Sequence, residues 1–133
     1  MAFPGTYNFD YYRGDTFQFV ITPKTSAGAT FSLDAYKSEI SPTRDATFTI
    51  STSRGDNPTT KISSFADSDK LAAIINTTTD TISCVIKPEA REDLFGGTTY
   101  YYDVEIYNGG SLRYTLLTGE ITVTDDVTGT LGS

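Results

Sequence analysis

The sequence predicts an all-β protein: an Ig-like antiparallel β-sandwich of seven to eight short strands, with one short helix near residues 88–95. Three observations carry that expectation. Nine Tyr and eight Phe are present and Thr and Ser occur in almost every segment, residue types that fit a pleated, half-buried surface better than a helix. Apolar and polar side chains alternate with period two in several segments. Turn-forming residues separate those segments at fairly even spacing. A small closed barrel is the competing architecture. At 133 residues the chain has room for one sizeable core. Residues 1–133 are therefore expected to form a single sandwich domain, with flexible or docking termini at 1–8 and 125–133.

In DTFQFVIT, Phe17, Phe19 and Ile21 share one parity while Thr16, Gln18 and Thr22 share the other, the pattern of a strand with one buried face. Just before it, Arg13-Gly14-Asp15 is expected to form a turn, because Gly supplies backbone freedom and Asp local hydrogen bonds. Its flanks Tyr11, Tyr12 and Phe17 are expected in the core. PKTSAGAT reads as a turn, AYKSEIS as a second strand, and ATFTIST as a third with Phe48 and Ile50 on one side. KLAAIIN and TISCVIKP, separated by TTTD, read as a hairpin. PEAREDLFGG is the one helical signal: Pro88 suits a first turn, acidic residues follow, and Gly96 and Gly97 stand where the helix should end. TTYYYDVEIY, the turn residues NGG, then SLRYTLL and EITVT complete the chain. Gly119, between the last two, suggests a bulge or bend.

The formal net charge is −7, a field that repels phosphate backbones and anionic lipid, so neither nucleic acid nor membrane is an expected partner. The single Cys84 cannot close an intramolecular disulfide, and no leader or spanning segment is apparent, which suits folding in a reducing cytoplasm. With no His in the chain, the commonest general base and zinc ligand are missing. The expectation is a protein that is not an enzyme, with no catalytic, cofactor-binding or metal residues.

Cys84 lies among apolar neighbours and reads as a small core hydrophobe. Asp103 and Glu105 share one strand face, and the carboxylate-hydrolase reading competes there with an ordinary solvent-facing row, which is favoured. Asp67 with Asp69, or Asp125 with Asp126, lack the spacing of a calcium loop. Asn76-Thr77-Thr78 matches a glycosylation acceptor, relevant only to a secreted eukaryotic protein.

Two surface candidates stay open. Arg54, Gly55 and Asp56 repeat the Arg-Gly-Asp tripeptide in a polar run between strands, where a binding loop competes with plain turn chemistry. Along TTYYYDVEIY, Tyr100 and Tyr102 are expected inward and Tyr101 outward. The set Tyr101, Tyr107 and Tyr114 is then a candidate outward aromatic face for sugar stacking or protein docking.

Gly14-Asp15-Thr16 opening an early strand, the link through Leu33, Asp34 and Tyr36, and the strand from Tyr101 to Ile106 with the one ending at Leu116 to Gly119 carry a family resemblance. Together they resemble a small β-sandwich of tailed-bacteriophage virions, similar to the N-terminal domain of phage upper baseplate proteins. The likeness covers both ends of the chain, whereas residues 41–80 are longer and more polar than the pattern. It implies a non-enzymatic structural subunit of the virion: a baseplate, tail or neck component, or a capsid decoration protein. Such a subunit docks to other phage structural proteins, is a homo-oligomer in the assembled particle, and folds in the host cytoplasm before assembly. The alternative is a carbohydrate- or cell-surface-binding sandwich module that uses the outward tyrosines or the 53–58 loop.

Overall fold

The computed structural model describes residues 5–25, 27–34, 36, 44–55, 59–108 and 113–125, with the backbone alone described at 44, 45 and 108. Two short strands open it, β1 (Gly5–Thr6) and β2 (Phe9–Tyr12), followed by β3 (Phe17–Ile21), β4 (Arg44–Ser51), β5 (Lys61–Ser63), β6 (Leu71–Asn76) and β7 (Thr81–Ile86). A 3-10 helix (Pro88–Glu92) then leads into β8 (Thr99–Asn108) and β9 (Arg113–Thr124).

The strands form two sheets. The larger runs β1-β9-β8-β4-β5 with β2 also on β9, and the smaller runs β3-β7-β6. This is the strand order of an Ig-like sandwich, in which three strands face a four-stranded group extended at its edge. All pairs are antiparallel except those of β1 and β2, which run parallel to β9. Neither strand was expected, nor was β5; each is four residues or shorter. The expected strand at 35–41 lies outside the described residues apart from Tyr36, which sits in a turn with its N–H donating to Leu33 O. SLRYTLL and EITVT merge into the single twelve-residue β9.

Antibody-type domains centre their core on a Cys/Trp/Cys cluster. Here an aromatic cluster takes that place. Phe19 of β3, Phe48 of β4 and Tyr102 of β8 meet pairwise with ring centroids 5.5–6.0 Å apart, edge-on geometry worth about 0.5–1.5 kcal/mol per pair beyond area burial. Ile82, Cys84 and Ile86 of β7 and Val104 and Ile106 of β8 are fully buried around it. Tyr100, near the start of β8, reaches back over the preceding corner: its hydroxyl donates to Asp93 O and accepts from Phe95 N. This is the tyrosine-corner arrangement of Ig-like folds.

The helix is one 3-10 segment, shorter than 88–95, because Ala90 is its one buried residue and so little burial cannot offset α-helix nucleation. Gly119 is also not the bulge. The register shifts between Val104 and Glu105, whose partners are Leu117 and Thr115, so the extra residue is Leu116. Gly119 instead admits a close neighbour: a Cβ there would lie 2.0 Å from Tyr7 O, which accepts a hydrogen bond from Tyr102 Oη. Tyr12 is a further correction. It is 58% exposed, since alternation along β2 buries Phe9 and Tyr11 and turns Tyr12 outward.

Candidate functional site

Alternation along β8 sends Tyr100, Tyr102, Val104 and Ile106 into the core and leaves Tyr101, Asp103, Glu105 and Tyr107 on the outer face of the larger sheet. Register surrounds that row with polar neighbours. Tyr101 stands between Ser51 and Glu120, Asp103 between Thr49 and Thr118, and Glu105 between Thr47 and Thr115.

Arg54 follows β4 and folds back over this face. Gly55 has φ 84°, a conformation that glycine adopts without steric cost. The Arg54 guanidinium lies 4.9 Å from the Tyr101 ring centroid, and its Nη1 donates to Thr118 Oγ1 at 2.7 Å. Its Nη2 reaches Gly119 O at 3.4 Å. Arg54 is therefore strapped onto the sheet rather than presented at a loop tip. Asp56 lies outside the described residues.

Beneath the strap is a shallow depression of about 210 Å³ lined by Ser51, Ser53, Arg54, Lys61, Asp103 and Glu105 among others. Burial raises the Asp103 pKa above its ordinary value and the neighbouring Glu105 charge adds to that, while Lys61 and Arg54 pull it down. Arg113 Nε stands 3.7 Å from Glu105 Oε1 and covers the Tyr107 ring at 4.6 Å. Each outward tyrosine thus has one face occupied by an arginine, and Glu105 is ion-paired with one of them, Arg113.

The three tyrosines do not form one face. Tyr114 is opposite Ile106 in the register, so it points inward, where its ring meets Phe31 and Tyr36 at 6.1 and 6.3 Å. The bulge at Leu116 reverses the side-chain parity of β9, and only Tyr101 and Tyr107 remain on the outer face.

The first Arg-Gly-Asp is a turn, as expected, although of its flanks Tyr11 is buried, Phe17 partly so and Tyr12 exposed. Gly14 has φ 91°, Asp15 N donates to Tyr12 O, and Tyr11 Oη donates to Asp15 O at 2.7 Å. Burial pushes the Tyr11 hydroxyl up to about 12. Arg13 Nε donates to Arg91 O and Leu94 O at 3.0 and 2.9 Å, Nη2 donates to Arg91 O at 2.7 Å, and the guanidinium covers Phe95 at 4.8 Å. It satisfies the carbonyls at the end of the 3-10 helix.

Cys84, Asp67, Asp125 and Asn76 are also engaged within the fold. Cys84 is fully buried, and burial pushes its thiol up to about 12, far from a reactive thiolate. Asp67 Oδ2 accepts from Ser63 N, Asp125 Oδ1 from Gly96 N, and Asn76 Oδ1 from Thr78 N and Thr79 N. Asp126 lies outside the described residues. Among the described residues no group of three or more His, Cys, Asp or Glu side chains converges as metal ligands would.

Sequence reasoning missed the arginine straps and the pairing of Lys70 Nζ with Asp93 Oδ2 at 2.5 Å. The straps link residues 64 to 81 positions apart, and no local pattern announces such contacts. No protein-family model matches the chain, and no curated protein sequence matches it.

Proposed function

We propose that the chain is a non-enzymatic structural subunit of a tailed-phage virion, in the baseplate, tail or neck or as a capsid decoration protein, and that it acts by docking to other virion proteins. The observation that carries this reading is a division of the surface. The outward tyrosines Tyr101 and Tyr107 are each covered on one ring face by the chain's own arginines. Large apolar side chains stay open elsewhere: Tyr12 is 58% exposed, Val20 57%, Phe65 63% and Ile74 55%. Aromatic and aliphatic side chains of this kind supply the anchors of protein interfaces. The Ig-like sandwich and the resemblance of its two ends to phage upper baseplate domains support the same reading.

Quantitative mass spectrometry of purified phage particles tests it. A few to a few dozen copies per particle place the chain in the tail, neck or baseplate, and hundreds place it on the capsid. Complete absence from particles overturns the reading. Glycan binding that disappears in Tyr101→Ala would favour the carbohydrate-binding alternative.

A further inference from the structure

Strand β3 is one edge of the smaller sheet, and among the described residues it pairs with β7 alone. Natural edges are usually blunted by charge, proline, bulges or brevity. The β3 segment FQFVI carries no charge and no proline, and its ladder with β7 runs without a register shift. Of the other edges, β5 is only three residues long and begins with the exposed Lys61, and β6, likewise uncharged, packs against β4 of the larger sheet.

The core is also unfinished at β3. Ile82, Cys84 and Ile86 of β7 are completely buried, yet their direct partners Ile21, Phe19 and Phe17 are only partly so. Tyr7, 43% exposed, joins Phe19, Val20, Ile21 and Leu117 around an open, mainly apolar depression along this edge.

The geometry points to a homodimer in which two copies pair their β3 edges antiparallel, fusing the two three-stranded sheets into one. A two-fold axis through Phe19 places each Phe19 against its copy, Phe17 against Ile21 on the inner side, and Gln18 against Val20 on the outer side. Apolar side chains thus meet apolar ones on the face that now lacks cover. Charge favours a second copy in this orientation. Asp15 precedes the strand and Lys24 follows it, both exposed, so the antiparallel arrangement brings each Asp15 toward the partner's Lys24. The inference deepens the docking reading by naming a second copy of this chain as one partner.

Sedimentation analysis of the purified chain from about 1 µM to about 1 mM tests the pairing. The expected result is twice the chain mass. Gln18→Lys combined with Val20→Lys sets like charges opposite each other at exposed positions and should weaken the dimer at least tenfold, about 1.4 kcal/mol, with the β circular-dichroism spectrum retained. Asp15→Lys and Lys24→Asp should each weaken it, and the two together should restore it.

A chain monomeric at 1 mM overturns the inference, as does a folded double-lysine variant that dimerises unchanged or a charge swap that fails to restore pairing. A monomer that dimerises only after removal of residues 1–4 also overturns it, by assigning the edge to the chain's own N-terminus. A monomeric chain that is present in particles refutes the pairing alone. A dimer that is absent from particles refutes the virion reading alone.

Discussion

Arg13 and Arg54 each precede a glycine of positive φ, 91° and 84°, and each lays its guanidinium over an aromatic ring, at 4.8 and 4.9 Å. The surroundings of these two otherwise similar turns differ. Arg13 is partly buried and its Nε and Nη2 serve two backbone carbonyls left over at the end of a helix. Arg54 is exposed and reaches one hydroxyl and, at longer range, one carbonyl on an open sheet face. The glycine bends the chain after each arginine, and the acceptors that the fold brings within reach set what the arginine is worth. A buried acceptor that loses its partner costs far more than one that water can serve.

The comparison can be broken or sharpened by substitution. The largest effect is expected at Gly119, whose carbonyl receives Arg54. A methyl group there meets Tyr7 O at 2.0 Å and Tyr7 C at 2.8 Å, so the backbone between β1 and β2 must shift. Gly119→Ala should cost about 3 kcal/mol, the upper end of overpacking losses, read by urea unfolding and by faster exchange of the Tyr7 amide, which donates to Thr118 O. Next come the two turn glycines. Gly14→Ala and Gly55→Ala should each cost about 1–2 kcal/mol, since both place a side chain in the left-handed region. Similar losses would show that the turns are equivalent and that the difference resides in the arginines.

The smallest effect is electrostatic. Asp103 titrates above its ordinary range because of burial and Glu105, with Arg54 opposing. The folded state therefore binds this proton more tightly than the unfolded chain, and the Asp103 contribution to stability declines as pH rises from the usual carboxylate range through its folded pKa. Arg54→Ala should move the Asp103 titration upward in carboxyl NMR. Arg13→Ala should leave it in place.

How much of this was legible follows from which contacts are local. The alternation in β3, β4 and β8 marked their buried faces, and TTTD marked the β6–β7 hairpin, because period two is written in adjacent residues. The strand β2 was not legible: FDYY is short, and it is fixed by parallel pairing with β9 at the far end of the chain. Tyr114, expected on the outer face, shares its parity with the buried Leu116 and packs on Phe31 and Tyr36; the irregularity comes after it, at Leu116, where the sequence pointed to Gly119. The outward positions of Tyr101 and Tyr107 were legible. Their arginine covers were not, since Arg54 crosses two strands and the packing of a guanidinium leaves no periodic trace.

Equilibrium urea unfolding of Arg13→Ala and Arg54→Ala, side by side, tests most directly whether the same tripeptide plays unequal parts. The predicted loss is about 2–3 kcal/mol for Arg13, whose charged donors serve partly buried carbonyls. For Arg54, an exposed cation over a ring, the predicted loss is under about 1 kcal/mol. Equal losses, or a larger loss at Arg54, would contradict the account and make the second copy a structural clamp of the same rank as the first.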